Sequence, residues 1–185
     1  LQSGKCPEAL SLDLHNMQSG TDTYLMVKRL VCALITGQCP KGLKLRLTSN
    51  QLNDKSGTIL ADALQSGKCP DNLELALTNN ELTDRTALAF ASALSSGQCP
   101  HGLKVIFGGA GFTVNGALAL AVALRSGRCP KRLTIDFGIS KFGDRGVYAL
   151  ADTLTSDHCA EGLTLIFFKN EYTCITNEGV HALVQ

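Results

Sequence analysis

Cysteine recurs every thirty residues along most of this chain, at Cys39, Cys69, Cys99, Cys129 and Cys159, with Cys6 thirty-three residues ahead of the first. Pro40, Pro70, Pro100 and Pro130 follow these cysteines, Gly37, Gly67, Gly97 and Gly127 precede them by two, and Leu43, Leu73, Leu103, Leu133 and Leu163 come four later. A chain that repeats its own phrasing at one spacing stacks copies of a single supersecondary unit, because each unit is too small to bury its apolar face alone.

Within a unit the hydrophobic period changes once. After each leucine comes a short alternating run: "LSLDL" from Leu10, "LKLRL" from Leu43, "LELAL" from Leu73, "LKVIF" from Leu103, "LTIDF" from Leu133 and "LTLIF" from Leu163. Period two predicts a half-buried strand, with Leu10, Leu12 and Leu14 and their equivalents inward and Ser11 and Asp13 and theirs outward. The following segment is helical, as in "DKSGTILADAL", where Ile59, Leu60, Ala63 and Leu64 share one face. Asp54, Asp84 and Asp144 stand where a side-chain oxygen caps a helix start. The "SGxCP" phrase is punctuation, a left-handed glycine stop followed by a proline that prevents continuation. With no tryptophan and 5% aromatic residues, the core is expected to be aliphatic.

The fold class predicted is therefore α/β, a solenoid with a parallel inner sheet and outer helices. One domain spans 1–185, with units starting near 10, 43, 73, 103, 133 and 163, and residues 1–9 are the tail of a preceding unit. The sixth unit is truncated. Extra residues around "HNMQSGTDTY" and "EYTCITN" mark candidate recognition loops, with tolerated drift as the alternative. Leu1 starts in a helical turn and Gln185 stops in another without polar caps, so the chain reads as a piece of a longer protein.

The leucine, strand, asparagine, leucine, helix order from Leu43 to Leu64, with Asn50 and Asn80 closing the strands, resembles the leucine-rich repeats. It is similar to the ribonuclease-inhibitor-like subclass also found in NOD-like receptors, and the uniform "SGxCP" units resemble leucine-rich-repeat effectors that intracellular bacteria deliver by type IV secretion. The resemblance implies a horseshoe, asparagine side chains bonded to backbone along the stack, and buried return-loop cysteines. Ala110 and Ser140 replace the asparagine, which predicts a weaker or rearranged ladder there. No reaction is implied.

The residues also argue against catalysis. One cysteine per unit reads as a ladder of reduced structural thiols, which points to a reducing, cytoplasmic compartment. No two cysteines have zinc-ligand spacing. His101 and His158 flank Cys99 and Cys159, but His101 aligns with Lys41, Asp71 and Lys131 and so occupies a variable position. Cys32 reads as core filler in the first helix, and Cys174 as the thiol to test for exposure. Gly108, Gly109, Gly111 and Gly116 lack the lysine and hydroxyl residue of a phosphate loop. Asp13 and Asp136 lie about 19 Å apart on the sheet, too far for a carboxylate pair. Neither an enzyme nor a cofactor is expected.

Seventeen basic residues against sixteen acidic ones exclude a bulk field for nucleic acid or an anionic membrane. What varies from unit to unit is the outward strand face. One column reads Ser11, Lys44, Glu74, Lys104, Thr134 and Thr164, the next Asp13, Arg46, Ala76, Ile106, Asp136 and Ile166, and the third ends at Phe168. Lys44, Arg46, Glu74, Lys104, Ile106, Asp136, Ile166 and Phe168 combine apolar residues with a charged rim, the composition of a protein contact. The expected function is a protein–protein interaction module, fitting the targeting part of a secreted effector. An intramolecular packing, autoinhibitory or sensing domain of a larger protein is the alternative, and the oligomeric state is left open.

Overall fold

The computed structural model describes residues 6–17, 23–167, 176, 178 and 179. Six strands, β1 (Ser11–Asp13), β2 (Lys44–Arg46), β3 (Glu74–Ala76), β4 (Lys104–Ile106), β5 (Thr134–Gly138) and β6 (Thr164–Phe167), form one sheet in sequence order. All neighbours pair in parallel. Five helices alternate with them: α1 (Thr23–Leu34), α2 (Asp54–Gln65), α3 (Asp84–Ser95), α4 (Val114–Leu124) and α5 (Gly143–Ala151). Each helix packs on the next, making a second layer. The α/β solenoid is thus built from strand and helix layers that share one core.

The alternating leucines explain the strand side of that core. Leu43, Leu45, Leu47, Leu73, Leu75 and Leu103 are fully buried, and Leu10, Leu12, Leu14, Leu163 and Leu165 pack against the same cluster while partly exposed. From the helices come Leu60, Leu64, Ala87, Leu94, Leu120 and Leu124. The aliphatic expectation fails in the middle of the stack. Phe90, Phe107, Phe112 and Phe137 are fully buried, with Phe107 centred 5.0 Å from Phe90 and 4.9 Å from Phe112, and Phe137 5.0 Å from Phe142. Low aromatic content set the expectation, but the few rings are concentrated where alanine and glycine free the volume for them.

The asparagine ladder runs as the resemblance implied. The Asn80 amide donates to the carbonyls of Leu47 and Leu77 at 3.0 and 2.7 Å, and its oxygen accepts from the Asn50 and Leu52 N–H groups at 2.9 and 3.0 Å. Asn50 repeats the pattern toward unit one, donating to the Leu14 carbonyl at 2.7 Å and accepting from the Met17 N–H at 2.8 Å. Ala110 has no side chain for this, and among the described residues the Ser140 hydroxyl donates within its unit, to the Phe137 carbonyl at 2.7 Å. Aromatic packing and a register shift between Asp136 and Gly138 accompany the change. A side chain on Gly138 would come within 2.6 Å of the Gly108 backbone, so these glycines permit strand approach.

The helix stops follow the sequence: Gly37, Gly67, Gly97 and Gly127 all have positive φ, from 68 to 76°. The starts do not. Asn53, Thr83 and Thr113 cap their own helices, and the aspartates one residue later reach forward to the next unit. Asp54 accepts from the Thr83 N–H and hydroxyl at 2.9 and 2.6 Å and from the Thr86 N–H and hydroxyl at 3.2 and 2.6 Å. Asp84 does the same with Thr113 and the Gly116 N–H, and Asp144 with Thr176. Within the first turn these carboxylates reach the amides of the adjacent unit, so they do not cap their own helices. Val114 breaks the series, and α5 begins without a side-chain cap.

Cys32 also departs from expectation, being exposed rather than core. It occupies the position of Asp62, Ser92, Val122 and Asp152, which all face solvent. Half of the first candidate recognition loop, all but Thr176 of the second, and Cys174 and Phe168 fall outside the described residues.

Candidate partner-binding surface

Strand pairing places the outward residues in rows. Lys44 pairs with Glu74 and Glu74 with Lys104, while Arg46 pairs with Ala76, Ala76 with Ile106, Ile106 with Asp136 and Asp136 with Ile166. Seven of the eight expected contact residues therefore share one face, the eighth being Phe168. Arg46 is exposed, and Lys44, Glu74, Lys104, Ile106, Asp136 and Ile166 are half-buried by their neighbours. Ala76 is buried beneath the flanking side chains.

The charges alternate. Glu74 lies between two lysines, with its carboxylate 3.7 Å from the Lys104 ammonium. Lys44 makes no ion pair among the described residues. The Arg46 guanidinium lies 3.6 Å from Asp13, whose other oxygen is 2.8 Å from His15 Nδ1. Hydrogen bonds from His15, with a smaller contribution from Arg46, hold the Asp13 carboxyl below its usual range. Exposed pairs of this kind contribute little to folding, so their use is in holding long side chains at defined positions. Asp136 is engaged locally, one oxygen accepting from the Gly138 N–H at 2.9 Å and fixing the bulge. The Asp13 and His15 extension of the patch was not among the expected contacts, although both head their columns in the sequence.

The cysteine ladder supplies structure, not nucleophiles. Cys39, Cys69, Cys99 and Cys129 direct their thiols to the carbonyls of Ala33, Ala63, Ala93 and Ala123 at 3.3 to 3.5 Å, joining the N–H groups of Thr36, Ser66, Ser96 and Ser126 on the same helix-end carbonyls. Burial pushes Cys69 and Cys99 up to about 12 and Cys129 to about 11. At neutral pH this leaves on the order of one thiol in 10⁴ to 10⁵ ionised, the reverse of an activated cysteine. The His101 N–H is bonded to Asp71 of the preceding unit.

No family model and no curated protein matches the sequence. Among solved structures, that of leiomodin-1 actin-binding site 2, a leucine-rich-repeat domain, is similar with a TM-score of 0.63. The likeness covers 86% of this chain and 88% of that one at 16% identity. The chain has the leucine-rich-repeat fold.

Proposed function

We propose that this chain is a protein-binding module whose partner docks on the solvent face of the sheet, over Lys44, Arg46, Glu74, Lys104, Ile106, Asp136, Ile166 and Phe168. The observation that carries the reading is the contrast within each strand. Inward positions hold leucine, valine, isoleucine or phenylalanine in every unit, whereas the outward positions, in continuous register with them, range from charged to apolar. A framework that repeats while its exposed face varies is the arrangement of a rigid display surface. Ile106 and Ile166 supply apolar contact and the lysines, Arg46 and the acids select the partner by charge.

The free ladder thiols, Cys99 buried and the others half-buried, fit a reducing compartment such as the cytosol. The ribonuclease-inhibitor-like subclass and the role of targeting module in a secreted effector rest on the sequence resemblance. Leiomodin-1's domain is named for binding actin, which makes actin one protein to assay alongside an extract. The test is affinity capture from cytosolic extract, with purified actin in parallel, comparing the native chain with a folded Arg46→Ala, Lys104→Ala, Phe168→Ala variant. A protein retained by the native chain and lost by the variant is the expected result. Retention of the same protein by both moves recognition off the sheet, and retention of nothing by either favours an intramolecular packing role.

A further inference from the structure

The helical layer carries a second surface that the repeat pattern does not explain. α4 has no charged residue in its eleven positions, and a helix that is apolar all round is ordinarily covered all round. Yet Leu118 and Val122 on its outer side are 37% and 68% exposed. At the positions equivalent to Leu118, Leu88 on α3 and Tyr148 on α5 are 58% and 42% exposed. α4 packs against both helices, which sets the four side chains on one outer face of the helical layer. In α1 and α2 the same positions hold Lys28, Cys32, Thr58 and Asp62. Polar residues are therefore compatible with the fold there; the Leu118 position is apolar in α3 to α5, whereas at the Val122 position α4 alone is aliphatic among α1 to α5, between Ser92 and Asp152.

Two observations narrow what covers the patch. Four such side chains expose on the order of 400 Å² of apolar surface, a size associated with interaction sites. That is about half of the ~800 Å² per partner in a stable complex of two globular proteins, so it suits one helix better than a second copy. Arg85, one helical turn before Leu88 on α3, lines a groove of about 270 Å³ together with Tyr24, Asp54, Lys55, Thr58 and Ile59. Lys55 and Arg85 make no ion pair among the described residues, so against the one Asp54 carboxylate, whose oxygens already accept from Thr83 and Thr86, the groove offers two cations and a net positive charge.

We propose that the outer face of α2 to α5 binds an amphipathic helix of a partner protein, with an apolar stripe on Leu88, Leu118, Val122 and Tyr148 and carboxylates over Lys55 and Arg85. Four helices spaced about 10 Å apart span about 30 Å, the length of a helix of about 20 residues. This site is separate from the strand face and independent of its occupancy.

The test is selection, on the full chain, from displayed helical peptides of about 20 residues with a fixed leucine stripe and with glutamate, lysine or glutamine at every other position. Recovered peptides are then titrated by fluorescence anisotropy against the native chain and three variants: Leu118→Gln with Val122→Ser, Leu88→Ser alone, and Lys55→Glu with Arg85→Glu. All these positions are at the surface, and Leu88→Ser, the mildest change, serves if the first pair lowers melting. The expected peptides carry glutamates at one end and weaken by at least about tenfold on each variant. They bind Arg46→Ala, Lys104→Ala as they bind the native chain, which separates this site from the strand face. Lysine-ended peptides, no enrichment above the Leu118→Gln, Val122→Ser chain, or concentration-dependent dimers that Val122→Ser dissociates would each overturn the proposal.

Discussion

Replacing Asp54 by alanine isolates the device that ties one unit to the next. Its carboxylate accepts four hydrogen bonds from Thr83 and Thr86, and the Thr86 side chain lies in a fully buried residue. Loss of a capping oxygen costs about 1 kcal/mol, and a buried hydroxyl left without an acceptor costs about 1 to 3 kcal/mol more. The sum is about 3 kcal/mol, a fall in melting temperature of roughly 6–12 °C for a chain of this size. Calorimetry of Asp54→Ala beside Asp62→Ala, an exposed aspartate eight residues on in the same helix, provides the assay. The control should stay within about 0.5 kcal/mol of the native chain. In a Thr86→Ala background Asp54→Ala should cost less, by about 1 to 2 kcal/mol. Equal losses for Asp54→Ala and Asp62→Ala would refute the cross-unit cap, as would strict additivity with Thr86→Ala.

The same carboxylate predicts a pH dependence. Burial pushes its pKa up, but the bonds from Thr83 and Thr86 outweigh this and hold it below the ordinary 3.8. A depressed folded pKa means the stabilisation is complete above the ordinary carboxylate range and is lost as pH falls through the folded value, so the gap between native chain and Asp54→Asn should close below about pH 4. Leu75→Ala should destabilise by about 2 to 5 kcal/mol, whereas Arg46→Ala should leave melting within about 0.5 kcal/mol of native and change only binding; equal losses in calorimetry would contradict the division of framework from display. Gly57→Ala would bring a methyl within 2.3 Å of the Thr86 hydroxyl. It should therefore destabilise by about 1 to 3 kcal/mol in denaturant titration, although alanine is the better helix former by about 1 kcal/mol. Alkylation of the native chain, mapped by mass spectrometry, should modify Cys32 ahead of Cys69, Cys99 and Cys129, which stay protected until unfolding.

The thirty-residue period made the sheet legible because strand, turn and helix recur at fixed offsets, and a period of two leaves no choice about which residues of "LELAL" face the core. It located Lys44, Glu74 and Lys104 in one row without coordinates for the same reason. What it could not convey was direction between units. Asp54 and Asn53 are both plausible caps at one helix start, and only the placement of the next helix shows that the aspartate serves Thr83 and Thr86. The exposure of Cys32 was available by aligning it with Asp62, Ser92 and Asp152, but a small apolar residue in a helix reads as core when taken alone. The patch around Leu118 and Val122 was missed for a related reason, since an uninterrupted run such as "ALALAVAL" shows no polar face to mark the outside. Stacking fit was equally hidden. Thr86 rests against Gly57, and Gly116 against Ala87, so a larger residue meets a smaller one at each joint.

The most direct test of the account is hydrogen-exchange mass spectrometry of the chain with and without the partner recovered by capture. Added protection is expected in peptides covering 44–46, 74–76, 104–106 and 134–138, abolished by Arg46→Ala with Lys104→Ala. Protection confined to the helices, with the strand segments unchanged, would contradict it.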